Sequence, residues 1–237
     1  MAQQPLITLW QFKPALGLPN ASPFCMKVEV FLRLAGLRYE TRNALLPTKG
    51  PLGKLPFVQI GDERIPDSSA IVEQLSARYG LTLDRGLDAR TRAEARALTR
   101  MLEEHTYWGL IYARWIDPAH WDALVETFFG DLPKPMRGFV ARLARRKVMR
   151  DARGQGLLLH GRDEIYRRGG QDIDALADYL GERPFFFGDA PCSHDASVYA
   201  FLANMWEATL ETPLKPLVAR HANLVAYCAR MRAHCFA

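Results

Sequence analysis

Apolar positions along the first eighty residues change period twice. Ile7 to Phe12 is a short β-favouring apolar run, and Tyr39 to Ala44 is a weaker one. Between them, Phe24, Val28, Phe31, Leu32 and Ala35 recur at helical spacing, and Gly36 is suited to end that helix. The spacing predicts strand, helix, strand, with the helix over Pro23 to Leu34. Phe57 to Ile60, then Gly61-Asp62-Glu63 and Arg64-Ile65, predicts two strands joined by a tight turn. Ser68 or Ser69 can cap a following helix that carries Ile71, Val72, Leu75 and Tyr79.

The order β-α-β followed by β-β-α is the pattern of a thioredoxin-like domain, placed here at residues 1–82. From about Leu81 the character changes. Asp88 to Asp117 is a long Arg/Glu/Ala-rich helical pattern. Trp121 to Phe129, Pro135 to Asp151, Asp163 to Leu180, Asp195 to Thr209 and Leu217 to His234 also read as helices. Breaks fall at Pro118, Gly130 to Pro135, Gly154 to Gly156, Gly181 to Pro184 and Thr212-Pro213. The fold expected is therefore α/β plus all-α, with an all-helical C-terminal domain over residues 88–237.

Composition narrows the class. A chain of 237 residues can build a sizeable core without disulfides or metal. The four cysteines, Cys25, Cys192, Cys228 and Cys235, form no C-x-x-C pair, and the six histidines show no metal-ligand spacing, so no metal is expected. The cysteines read as reduced thiols of a cytoplasmic protein. The N-terminus does not read as a secretory signal, and no apolar stretch approaches membrane-spanning length. The net charge is +5, and much of the excess lies between Lys134 and Arg153, where eight basic residues face only Asp151. That segment is read as a solvated helix face in preference to a nucleic-acid or membrane site.

Three short motifs carry candidate chemistry. Ser22-Pro23-Phe24-Cys25 follows the first strand and opens the first helix. Glutaredoxins and thioredoxins carry C-P-x-C at this place. Exposed N–H groups and the positive end of a helix dipole stabilise a thiolate near the first turn. Ser22 cannot supply a thiolate, but its hydroxyl can donate a hydrogen bond to one held by a ligand, or it can simply cap the helix. Cys25 is the alternative redox group, against the reading of a packed, inert thiol. In Lys54-Leu55-Pro56-Phe57, a proline opening a strand leaves the main chain before it available to a ligand if the bond is cis. In Pro66-Asp67-Ser68-Ser69, a carboxylate, a hydroxyl and free amides share one small volume. That set suits an amino acid's ammonium and carboxylate, and equally an ordinary cap.

Taken together, these motifs resemble the glutathione transferase superfamily. The resemblance continues in Gly181-Glu182-Arg183-Pro184-Phe185-Phe186-Phe187-Gly188-Asp189-Ala190-Pro191 leading into Asp195-Ala196-Ser197-Val198, and in Ala175 to Gly181. Within the superfamily, Ser22 to Glu29, Gly53 to Phe57 and Ile65 to Ser69 look most like the metaxin-like branch, which includes the failed-axon-connections proteins. The resemblance implies Ser22 as the catalytic residue and glutathione as co-substrate. Lys54, Leu55, Pro56, Asp67 and Ser68 would bind it, with Asp67 on the γ-glutamyl ammonium and Ser68 on the carboxylate.

An apolar electrophile would sit between the domains against Phe12, Trp108, Tyr112 and Trp115. These last three belong to an aromatic stripe at helical spacing, a pattern that is also ordinary core. The implied function is conjugation of the glutathione thiol to that electrophile, of the kind used in detoxification, by a cytoplasmic homodimer. The alternatives are a non-catalytic adaptor or glutathione-binding module, and a thiol-disulfide exchanger using Cys25. Two departures stand out. Lys13 to Ala21 is longer than the tight turn usual before the serine, and Cys192 occupies a helix-cap position where Ser or Thr is usual.

Overall fold

The computed structural model describes residues 5–44 and 46–236. Four strands, β1 (Ile7–Gln11), β2 (Tyr39–Asn43), β3 (Phe57–Ile60) and β4 (Glu63–Pro66), form one sheet in the order β2-β1-β3-β4. β1 runs parallel to β2 and antiparallel to β3, and β3 pairs antiparallel with β4. A parallel pair needs a crossover, and helix α1 (Pro23–Leu34) supplies it. β2 is the polar edge, Tyr-Glu-Thr-Arg-Asn, with no fully buried side chain. Helix α2 (Ser68–Tyr79) follows β4 and ends at Gly80, whose φ of 57° is the left-handed conformation a helix C-terminus favours.

Every later element is helical. α3 (Ala89–Arg100) runs on through a π-helical stretch, Met101–Thr106, into α4 (Tyr107–Ile111) and a second π-helical stretch, Tyr112–Ile116. The long helix expected from the sequence is therefore present, but its phase shifts twice. α5 (Trp121–Phe129), α6 (Lys134–Gln155), α7 (Arg162–Leu180) and α8 (Ser193–Trp206) come next. The single terminal helix expected over Leu217 to His234 is two, α9 (Leu214–Ala219) and α10 (Ala222–Phe236). Arg220 and His221 at the break both reach Asp174 of α7, which turns the chain there.

α1 and α8 are buried along nearly their whole lengths and pack against each other, so the sheet-bearing and helical domains share one core. Burial on all sides explains why α1 is apolar almost throughout. Its two central charges, Lys27 and Glu29, therefore need partners. Glu29 receives hydrogen bonds from Gln11 Nε2, Arg33 and Tyr39. At α8, Asp195 caps the helix: its carboxylate accepts from the Cys192 and Phe186 amides and from the Tyr227 hydroxyl. The capping acid expected at this helix is in place, with Cys192 as the cap residue.

Candidate functional site

Ser22 is the N-cap of α1, with extended backbone, φ −91° and ψ 117°, and its hydroxyl oxygen accepts from the Cys25 amide at 3.4 Å. Pro23 at the first helical position has no N–H, and the Met26 amide is taken by the Ser22 carbonyl. Capping uses only the acceptor side of the hydroxyl. Its proton remains available to a ligand, so the two roles read for Ser22 from the sequence are compatible.

The segment before Ser22 is held from both domains. Asn20 is fully buried; its Oδ1 accepts from the Ser22 amide at 3.0 Å and its Nδ2 donates to the Phe12 carbonyl at 2.7 Å. From the second π-helical stretch, Arg114 donates to the Ala21 carbonyl and to the Asn204 carbonyl, each at 2.6 Å. Asn204 of α8 in turn donates to the Asn20 carbonyl at 3.4 Å. Arg114 is buried and makes no ion pair among the described residues. Burial lowers its pKa to about 10, so it still carries a full positive charge at neutral pH.

The long segment Lys13 to Ala21 folds as a tight hairpin. Leu16 (φ 56°) and Gly17 (φ 71°) turn between bridged Ala15 and Leu18, and the Thr209 amide donates to the Leu16 carbonyl at 2.9 Å. A Cβ at Gly17 would lie 2.8 Å from Thr209 Cγ2, so this position needs glycine for space as well as for φ. The segment is packed onto the helical domain beyond α8, with Leu16, Leu18 and Asn20 buried.

The Leu55-Pro56 bond is cis, and Leu55 packs in a small cluster with Cys25, Ala44 and Phe57 that Trp10 and Phe12 flank. This places the residue 55 main chain beside the start of α1. Lys54 is exposed, and its side chain makes no hydrogen bond among the described residues. Asp67, and not Ser68 or Ser69 as expected, is the N-cap of α2, in an uncommon conformation, φ 68° and ψ 126°, and one of its carboxylate oxygens accepts from the Ser69 and Ala70 amides at 2.9 and 3.0 Å. Ser68 beside it is buried.

The α2 amino end is joined to the helical domain through α1. Lys27 Nζ donates to Ser69 Oγ at 2.9 Å and to Glu103 Oε1 at 2.6 Å, and Glu103 lies in the first π-helical stretch. Lys27, Glu103, Asn20, Arg114 and Asn204 are not among the candidates that the sequence yields, and Ser69 enters there only as a helix cap and part of its motif. The available signal is a lysine and a glutamate on an otherwise apolar helix.

Two groups of expected residues sit differently. Cys25 is fully buried, and desolvation pushes its thiol up to about 12, so it is held as the neutral thiol and out of reach of a disulfide. The redox alternative loses its nucleophile for that reason. Members of the aromatic stripe point in different directions, because Tyr107 and Tyr112, five residues apart across α4, lie roughly 140° apart about the helix axis. Tyr112 turns into the helical core, edge-on to Tyr166 at 5.7 Å, and Trp115 stacks on Phe128 at 5.8 Å. Neither faces α1. Tyr107 does, meeting Phe24 of the Ser22 motif edge-on at 5.0 Å, and half-buried Trp108 leans on Tyr107 at 5.4 Å. Tyr107, the fully buried Phe201 of α8 at 5.6 Å from Phe24, and Phe12 beside Cys25 thus meet the start of α1, and Trp108 adjoins it through Tyr107. Among the described residues no cluster of three or more possible metal ligands occurs, and no helix is long and apolar enough to cross a membrane.

The chain is similar to known proteins in sequence and in overall fold. The family model "Glutathione S-transferase N-terminal domain" matches residues 23–120, and "Glutathione S-transferase, C-terminal domain" matches residues 169–231. Among curated relatives, an isoprene-epoxide–glutathione S-transferase from Rhodococcus sp. (strain AD45) is 34% identical over 96% of this chain and 98% of its own length. Failed axon connections of Drosophila melanogaster is 32% identical over 99% of this chain, which spans 59% of that longer protein. Metaxin-2 of Mus musculus is 27% identical over 89% of this chain and 81% of its own length. Among solved structures, the beta-etherase LigF from Sphingobium sp. strain SYK-6 superposes with a TM-score of 0.62 at 18% identity, covering 96% of this chain and 95% of that one. A rice glutathione transferase in complex with glutathione gives a TM-score of 0.61 at 16% identity, over 98% of this chain and 88% of that one.

Proposed function

Since the chain belongs to the glutathione S-transferase family, we propose that it binds reduced glutathione across α1 and α2 and adds its thiol to an apolar electrophile. The observation that carries the proposal is Ser22: a hydroxyl at the amino end of α1 whose acceptor side is used by the Cys25 amide and whose proton is free for a thiolate.

In this reading the Leu55 main chain receives the cysteinyl part of the tripeptide. The free oxygen of Asp67 meets the γ-glutamyl ammonium, Ser68 with its amide meets the carboxylate, and exposed Lys54 lies at the rim. Three features favour the ionised sulfur: the Ser22 proton, the positive end of the α1 dipole, and the buried charge of Arg114 one residue away. A hydrogen bond to an anion is worth about 1.5–3 kcal/mol, or roughly one to two pKa units.

The sulfur then attacks an electrophilic carbon held near Phe12, Tyr107 and Trp108. The name of the Rhodococcus relative supports an epoxide as that electrophile. The C–S bond forms as one ring C–O bond breaks, and the alkoxide takes a proton from water. The proposal includes a homodimer in the cytoplasm, testable by light scattering and fractionation. Isothermal titration with glutathione followed by turnover of a small epoxide tests the chemistry. We expect Ser22→Ala to bind glutathione but to lose roughly 10- to 100-fold in kcat/KM at neutral pH. Turnover unchanged in Ser22→Ala refutes the serine mechanism.

The metaxin and failed-axon-connections relatives favour a second reading, a glutathione-binding adaptor without turnover. Binding with no conversion of any electrophile, in the wild-type protein, would establish it.

A further inference from the structure

Among the described residues eight large apolar side chains are exposed, and five of them, Met136, Phe139, Leu143, Met149 and Leu159, lie on α6 or in the turn after it. Phe139 and Leu159 are 61% and 74% exposed. Monomer surfaces carry scattered apolar residues, but a concentration on one element marks a contact surface. The inner face of α6 is already used: Ala141 and Ala152 are fully buried and Val148 packs against the core. Met136, Phe139 and Leu143 lie on the opposite, outer face, with Met149 at its flank.

That outer face is also the most basic part of the molecule. Arg142, Arg146, Arg150 and Arg153 succeed one another at helical spacing along it. α6 contains one acid, Asp151, which pairs with Lys147 at 2.6 Å and lies 3.9 Å from Arg150. Arg142, Arg146 and Arg153 have no ion pair among the described residues. Two shallow grooves run along the helix. One, of about 470 Å³, is lined by Met149, Arg150, Arg153, Gly154 and Leu158. The other, of about 360 Å³, is lined by Arg142, Arg145, Arg146 and Met149. Each sets guanidinium groups beside apolar side chains.

We propose that the outer face of α6 docks on an anionic phospholipid surface, with the helix lying in the plane of the interface. Phe139, Leu143 and Met136 enter the headgroup–acyl boundary, and the arginines meet lipid phosphates and carboxylates while their stems cover apolar surface. At 22 residues α6 is roughly 33 Å long, enough to span several headgroups. Charge decides between occupants. A second copy of this chain docking by the same face would set these cations against themselves. An acidic protein partner would answer the positive field but needs a shaped pocket for each protruding apolar group, whereas a lipid surface takes cations and apolar groups together in any register. The solvated-face reading of the sequence accounts for the charges but has no view of the apolar groups among them.

Cosedimentation of the full chain with vesicles of phosphatidylcholine alone, or of phosphatidylcholine mixed with phosphatidylserine, tests this. We expect binding to the mixed vesicles only, weakened by salt. R142Q/R146Q/R153Q should bind about a hundredfold more weakly, at roughly fivefold per cation. F139Q/L143Q should bind more weakly than wild type even at salt concentrations that screen the charges. R92Q/R96Q, which removes two exposed cations on α3, should bind as wild type. Glutathione turnover and melting temperature report that each variant is folded. The proposal is overturned if wild type ignores phosphatidylserine or if the triple arginine variant binds like wild type. It is also overturned if wild type leaves vesicles in solution while binding polyglutamate, or while forming a dimer that F139Q/L143Q splits.

Discussion

Replacing Lys27 by methionine removes the buried ion pair between the two domains. The Lys27 and Glu103 side chains are 4% and 3% exposed and meet at 2.6 Å. Without the ammonium, the Glu103 carboxylate is left buried with only Arg100 Nη1, 3.4 Å away, as a cationic neighbour, and Ser69 Oγ loses its donor. Breaking a buried pair by removing one partner costs about 3–5 kcal/mol. For a chain of this size, 1 kcal/mol moves the melting temperature by about 2–4 °C, so Lys27→Met should melt roughly 6–20 °C lower. Lys27→Met/Glu103→Leu removes both charges and should regain most of the loss, because an ion pair and an apolar pair of similar volume differ little in net stability. Thermal and urea unfolding of the four proteins give the coupling energy. KM for glutathione should rise in both lysine variants, since Ser69 sits beside Asp67 and Ser68 whatever the stability. A single variant that loses under about 1 kcal/mol, or a double variant no more stable than the single, would refute this account of the pair.

Two further expected outcomes concern the site, and a third concerns His194 in the first turn of α8, whose Nδ1 lies 3.1 Å from Thr99 Oγ1. Arg114→Met should raise the pH midpoint of kcat/KM by an amount on the order of one unit, while Arg114→Lys, which keeps the charge, should retain the wild-type midpoint even if it melts lower. Cys25, with its thiol up at about 12, should resist alkylation in the native protein at about pH 8 and react only on unfolding, and Cys25→Ala should keep glutathione turnover. Burial holds His194 below its usual 6.5, so the unfolded chain binds the extra proton first. The histidine's contribution to stability is then complete above about 6.5 and is lost as pH falls through the depressed value. Urea unfolding across that range should show the slope in wild type, and His194→Gln should flatten it.

Local features are legible in the sequence. The strand and helix periods from Ile7 to Tyr79, the capping serine and the Asp-Ser helix start are each encoded within a few residues, and the structure displays them as such. The groups that hold them are not legible, because the partners lie far apart in the chain. Lys27 and Glu103 are 76 positions apart, and Arg114 and Ala21 are 93. A charged residue on a helix buried all round shows that a partner must exist without showing which. The aromatic stripe misleads for a geometric reason. Tyr107 and Tyr112 are joined by regular α-helix, and five residues at roughly 100° each leave them about 140° apart about the axis, while Trp115 lies inside the second π-helical stretch.

The two π-helical stretches also bear on how this protein can be recombined with its relatives. Each wide turn shifts the register of the helix beyond it by about one residue, or roughly 100° about the helix axis. Glu103 lies within the first stretch and Arg114 within the second, so the winding of these turns sets the direction in which each side chain reaches Lys27 and Ala21. A chimaera joined within Met101–Ile116 to a partner with an evenly wound helix would swing one of these side chains away from its target with no change in local sequence identity. Crossover points belong in the Gly80 to Asp88 connection or beyond Asp117, where the winding of the helix is inherited whole.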